Sequence, residues 1–124
     1  MTNPTDDISD LIPLREPTFF ILLSLAEGEK HGYAIMRDVS AISQERVSLS
    51  TGTLYEALAR LLDQALIERV AEASNIAQEE SHPGRPRKAY RLTARGERVV
   101  AAELTRLQTL VSVAQRQLSG ATGG

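Results

Sequence analysis

Between Ser81 and Arg98 the chain carries Arg85, Arg87, Lys88, Arg91, Arg95 and Arg98 against a single acid, Glu97. Clustered guanidinium and ammonium groups neutralise phosphates, and they act locally, so the run matters even though the formal net charge is −2. The acids stand elsewhere: Asp6, Asp7 and Asp10 near the start, and Glu72, Glu79 and Glu80 just ahead of the basic run. Ser50-Thr51-Gly52-Thr53 is a second feature suited to phosphate. These residues are small and polar, and they precede a helical stripe, so backbone N–H groups there are left free with no bulky side chain to screen them. A short basic stretch can equally be plain solvated surface, and only its placement in a fold separates the two readings.

Other chemistries find little support. His31 and His82 are the only histidines and are distant in sequence, with no ligand-spaced carboxylates beside them, so neither a metal nor a cofactor is expected. Ser50 and Ser81 have no histidine at a suggestive spacing for nucleophilic catalysis. Gly52 and Gly84 form neither a P-loop nor a dinucleotide fingerprint. Glu97 and Glu103 fall on the expected outer side of a long helix, where paired-carboxylate chemistry would lack a cleft. An enzyme is not expected.

The elements that must position the cations read as helix, helix, helix, strand, loop, strand, long helix. Pro17 suits a first helical position, and TFFILLSLAEG after it forms a short apolar helix stopped at Gly28. A second helix opens with Lys30, His31, Gly32 and Tyr33 and buries Ile35, Met36, Val39 and Ile42, ending near Ser43. Ser50 caps a third, whose Leu54, Leu58, Leu61 and Leu62 recur as one stripe. Leu66 to Val70 reads as a short strand. Residues 71–86 are loop-like, and Lys88-Ala89-Tyr90-Arg91-Leu92 alternates as a half-buried strand. Thr93 caps a helix to about Leu118, with Gly96 a weak spot in its first turn. Val100, Leu104, Leu107, Val111, Ala114 and Leu118 step by four and three along it, the seam of helices packed lengthwise. About 25 residues at 1.5 Å each make a rod of roughly 37 Å, longer than the rest of the chain can cover. Leu110, Val113 and Val99 widen the stripe toward more than one neighbour.

The 124 residues suffice for one core. Hydrophobic residues at 42% argue against global disorder. The chain has no Cys, no apolar run near the roughly 18 residues of a membrane span and an acidic start, MTNPTDDISD; the expectation is a protein of the reducing cytosol. The expected fold is mainly α with a small β-hairpin: a polar tail over 1–16, a winged helix-turn-helix over 17–92, a dimerisation helix over 93–118 and a flexible tail over 119–124. In that fold the third helix enters the DNA major groove, and cations at the wing and at the helix starts seat the phosphates. Lys30 before the second helix and Arg46 before the third add to the positive face.

LSTGTLYEALARLLDQALIERV, GRPRKAYRLTARGERVV and AEGEKHGYAIM closely resemble the PadR family of transcriptional regulators, from about Pro13 to Leu118. The GTLY motif at Gly52–Tyr55 and the Arg87–Thr93 run are specific in combination. With one C-terminal helix the chain resembles the short branch of the family. The resemblance implies a homodimer on a roughly palindromic operator, usually a repressor. It puts DNA-facing residues at Lys30, His31, Gly32 and Tyr33, at Ser50, Thr51, Thr53 and Tyr55, and at Gly84, Arg85, Arg87 and Lys88, with Tyr90 and Leu92 structural. Two features depart from the pattern: Glu56 stands where many members have Pro, and the pair Glu79 and Glu80 puts negative charge near the wing tip. Some relatives sandwich planar drugs between Trp residues, which this chain lacks. An apolar cleft between the long helix and Phe19/Phe20 is the candidate site for a small-molecule effector, although core packing explains both rings more simply. The competing function is a winged-helix protein–protein module without DNA. Acidic Glu56 and Asp63 and a pI near 5.7 favour it, and the small polar start of the third helix opposes it.

Overall fold

A computed structural model describes residues 7–70 and 88–123. A single 3-10 turn, Ser9–Leu11, precedes α1 (Glu16–Ala26), β1 (Lys30–His31), α2 (Gly32–Ile42), α3 (Thr51–Asp63), β2 (Ile67–Val70), β3 (Ala89–Leu92) and α4 (Ala94–Gly123). The expected mainly helical winged architecture is present. Its sheet has three strands rather than two, in the antiparallel order β1-β3-β2. Lys30 and His31, expected to open the second helix, are strand residues paired with Tyr90 and Ala89. Two-residue pairing of this kind depends on a strand sixty residues away and leaves no local pattern.

Ile21, Leu22 and Leu25 of α1, Ile35 and Val39 of α2, and Leu54, Leu58 and Leu61 of α3 converge on one core with Leu66, Ile67, Tyr90 and Val99. Each helix contributes positions three or four apart, the face that a 3.6-residue period brings together. Ile42, expected in the buried face of α2, is 44% exposed. The helix ends there, and Ser43 turns inward instead. The Ser43 hydroxyl oxygen accepts from the Val47 N–H at 3.0 Å, closing the turn that sets α3 against α2. That turn runs through Gln44 (φ 55°) and Glu45 (φ 66°), both left-handed.

The segment expected as a polar tail joins the core well before Pro17. Ile8, Leu11, Ile12 and Leu14 pack against it, and the Leu14 N–H donates to Glu103 Oε2 at 3.0 Å. Glu103, expected on the outer side of the long helix, is only 2% exposed. Arg106 closes the site with bonds of 2.7 and 2.9 Å to its two carboxylate oxygens. A charge can be buried at this position because every lone-pair direction used meets a donor. Hydrogen bonding from Arg106 outweighs the cost of burial and, with the Leu14 N–H, holds the carboxyl below its ordinary pKa.

The junction between α3 and α4 is equally tight. Beyond the last turn of α3, Ala65 takes a left-handed φ of 61°. The Ala65 N–H then reaches the Leu62 carbonyl and the Leu66 N–H reaches the Leu61 carbonyl, both at 3.0 Å. This paired closure normally calls for Gly. Thr93 caps α4 by accepting from the Gly96 N–H at 3.0 Å and donates its hydroxyl to the Ala65 carbonyl at 2.7 Å. Gly96 is therefore no weak spot. A Cβ there would lie 2.1 Å from the Leu66 carbonyl oxygen, so the close approach of α4 to the start of β2 requires glycine. Val99 is fully buried and Val100 packs against the same core. The base of α4 thus belongs to its own domain, and only the part beyond Glu103 projects from it. The helix also continues past Leu118 to Gly123.

Candidate nucleic-acid interface

Ser50 caps α3 as the sequence indicates. Its hydroxyl accepts from the Thr53 N–H at 3.1 Å and donates to Thr53 Oγ1 at 2.9 Å. Thr51, Gly52 and Thr53 are all exposed, so the positive end of the 13-residue helix faces solvent. Substitution at an exposed cap of this kind typically costs about 1 kcal/mol.

Around this end the fold assembles residues that are far apart in sequence. Gly32 opens α2, and a Cβ on it would lie 2.4 Å from the Tyr55 hydroxyl; the lack of a side chain at 32 lets the Tyr55 ring lie against the α2 N-terminus. Tyr55 is nevertheless 42% exposed and Tyr33 is 62% exposed. Both rings thus offer an apolar face and a polar hydroxyl to solvent on this side. The Arg37 guanidinium lies 5.8 Å from the Tyr33 ring centre, one helical turn on, a pairing that the i,i+4 spacing could have revealed. Pairing of His31 with Ala89 brings the start of α2 alongside Lys88, which is exposed at the foot of the wing. His31, Gly32, Tyr33, Tyr55 and Lys88 thus share one side of the molecule with the tip of α3.

Not every expected cation is available on this face. The Lys30 ammonium sits between Glu27, at 2.8 Å, and Asp38, whose other donor is Ser24 Oγ at 2.8 Å. Burial works against the Lys30 charge, but hydrogen bonds to Asp38 and Glu27 outweigh it and raise its pKa. The bond from Lys30 is the main reason that the Asp38 pKa is lowered. Lys30 therefore spends its charge within the fold, joining β1 to α1 and α2. Arg91 is likewise bonded across the strands to Glu68 at 2.6 Å, and Arg95 donates to the Gln64 carbonyl at 3.1 Å. Arg46 is exposed and lies 3.7 Å from Glu16, which is also exposed. Gly84, Arg85 and Arg87, with Glu79, Glu80 and His82, lie outside the described residues.

The sequence matches the Transcriptional regulator PadR-like family over residues 21–102, about two-thirds of the chain. The chain belongs to this family. No curated protein matches it significantly. Similar solved structures include a transcriptional regulator from Clostridium thermocellum, 26% identical, with a TM-score of 0.62 over 87% of this chain and 94% of that one. A PadR family transcription regulator from Clostridium difficile is 24% identical, with a TM-score of 0.64 over 84% and 99%. A PadR-like transcriptional regulator from Bacillus cereus is 23% identical, with a TM-score of 0.63 over 82% and 89%. As a PadR-family protein the chain is a DNA-binding transcriptional regulator, and its family is one of regulators rather than enzymes. Among the described residues no group of His, Cys, Asp and Glu could hold a metal ion, and no helix is long and apolar enough to cross a membrane.

Proposed function

We propose that this PadR-family regulator acts in the cytoplasm as a homodimer that binds a near-palindromic operator and represses the promoter it covers. The observation that carries this reading is the outer part of α4. Leu104, Leu110, Val111, Val113 and Leu118 are between 39% and 68% exposed there, on a helix that leaves its own domain. Leu104, half-buried Leu107, Val111 and Ala114 share one apolar face of the helix, widened on one flank by Leu110, and among the described residues no element covers the exposed members of it. A second copy presenting the same face would satisfy it by twofold symmetry. Two α3 helices related by that axis would read two half-sites in opposite orientation, hence the palindrome. A dimer seated on a promoter excludes polymerase, which makes repression the default outcome.

In this reading Ser50, Thr51, Thr53 and Tyr55 meet base edges and phosphates in the major groove. His31, Gly32, Tyr33 and Arg46 contact backbone at its margins, and Lys88 with Gly84, Arg85 and Arg87 does so from the wing. Release by a small-molecule effector would use the α1–α4 side, near Phe19 and Phe20, whose ring centres are 6.4 Å apart at an interplanar angle of 42°. Phe20 packs against the core, so an effector there would have to displace packing.

Val111→Asp tests the dimer. At 54% exposure in the protomer the residue can be changed without disturbing the monomer core. In the seam it would place an unpaired charge in an apolar contact, at a cost of several kcal/mol. Sedimentation should then show monomers, and operator binding in a gel-shift series should weaken with loss of the second half-site. A dimer of unchanged affinity would remove α4 from the proposal.

A further inference from the structure

The recognition helix has two flanks. Tyr55 leans toward α2. On the opposite side Thr53, Glu56, Ala57 and Arg60, at steps of three and four, form a second flank. They line a half-open cleft of about 230 Å³ whose far wall is Arg15, Pro17, Thr18 and Ile21 at the start of α1, with Leu49 at its end. Resting on the DNA-binding reading above, we propose that this cleft seats a backbone phosphate of the operator strand that the wing does not reach. Arg15 and Arg60 would be its ligands.

Four observations support the assignment. Arg15 and Arg60 both line the cleft and are exposed, and neither guanidinium has an ion pair or hydrogen bond among the described residues, unlike the side chains of Lys30, Arg91 and Arg106. Guanidinium is the side chain whose planar fork matches a phosphate, and two of them outnumber the single Glu56 carboxylate on the same walls. Thr53 Oγ1 already accepts from Ser50, so its own proton remains for an outside acceptor. Finally, the major groove is about 12 Å wide between two backbones, so a helix lying in it turns one flank to each strand. The Tyr55 flank faces the wing side through Gly32 and β1, which leaves the Arg60 flank for the other strand. Glu16, the nearest further acid at the start of α1, lies 3.7 Å from Arg46, which offsets its charge.

The test is the double variant Arg15→Gln/Arg60→Gln in the full chain, with binding to a fluorescein-labelled mixed-sequence duplex followed by anisotropy between about 50 and 200 mM salt. One phosphate lost per protomer, two per dimer, should make the slope of log affinity against log salt shallower by about 1.8, at 0.9 for each phosphate. Affinity should fall about tenfold at the lower salt, with thermal melting unchanged. Arg116→Gln, near the outer end of α4, controls for net charge and should leave the slope as it is. An equal change of slope in Arg116→Gln would overturn the cleft, since general charge would then explain the effect. An unchanged slope in the double variant, with Lys88→Ala still weakening binding, would overturn the cleft and leave the DNA reading standing. Absence of binding by the unaltered protein would overturn both.

Discussion

Gly96→Ala sets two effects of opposite sign against each other at one atom. Considered as a helix residue alone, Ala in place of Gly should stabilise α4 by about 1 kcal/mol, because it removes the entropy cost of ordering glycine. In the fold, the new Cβ would sit 2.1 Å from the Leu66 carbonyl oxygen and 2.8 Å from Leu92 Cδ1, where 3.0 Å is the practical lower limit. The obstacle is backbone, so α4 must move away from the start of β2 by most of an ångström. Three bonds cross that gap: Thr93 N–H to the Leu66 carbonyl at 3.0 Å, Thr93 Oγ1 to the Ala65 carbonyl at 2.7 Å and Arg95 Nε to the Gln64 carbonyl at 3.1 Å. Loosening them costs about 1 kcal/mol each, and overpacking itself costs about 1–3 kcal/mol. After subtraction of the helical gain, the net loss is about 3–5 kcal/mol, roughly 10–20 °C in Tm for a domain of this size. Thermal melts at one fixed protein concentration, followed by circular dichroism, measure it. Gly120→Ala in the same helix, where nothing lies within 4 Å of the added methyl, should be neutral or slightly stabilising. A Gly96→Ala protein that melts at or above the unaltered one would refute the packing argument and leave helix propensity in charge.

Ala65→Gly should act in the opposite direction, stabilising by about 1 kcal/mol in a urea titration, because the left-handed position after α3 carries a Cβ penalty that glycine lacks. Gly32→Ala should leave melting within about 0.5 kcal/mol, since the atom in its way is the movable end of the Tyr55 side chain; the displaced ring should nevertheless weaken DNA binding severalfold in a gel shift. The lowered pKa of Glu103 means that its stabilisation is present above the ordinary glutamate value near 4.5 and is lost as pH falls through the folded-state value. Glu103→Gln should therefore cost about 2 kcal/mol at neutral pH, and its urea midpoint should fall less than that of the unaltered protein between pH 5 and pH 3.

Helix faces were legible wherever spacing alone decides them. Leu54, Leu58 and Leu61 are buried together because their period matches the helix, and Ser50 caps because its hydroxyl needs only its own next three residues. The strand at Ala89–Leu92 was legible too, but its burial does not follow the expected alternation: Ala89 and Tyr90, neighbours in sequence, are both buried. The role of Lys30 was not legible. Next to an expected helix start it read as a free cation, whereas Asp38 and Ser24, brought to it by the packing of α1 on α2, take up its charge. Glu103 read as surface because its solvent-excluding neighbours, Leu14 and Arg106, include one residue 89 positions away. Arg15 and Arg60 attracted no notice in sequence because forty-five positions separate the two walls of the cleft they share.

What the order of residues determined unaided is local: which segments become helices, which face of each is oily, where α3 begins and that a long helix follows the wing. These follow from backbone period, capping and turn chemistry within a few positions. Tertiary structure alone decided which cations stay available, which glycine is indispensable and which carboxylate is buried. Each of those depends on the distance between atoms that the chain brings together only by folding, and both Coulomb attraction and steric repulsion are set by that distance rather than by separation along the chain.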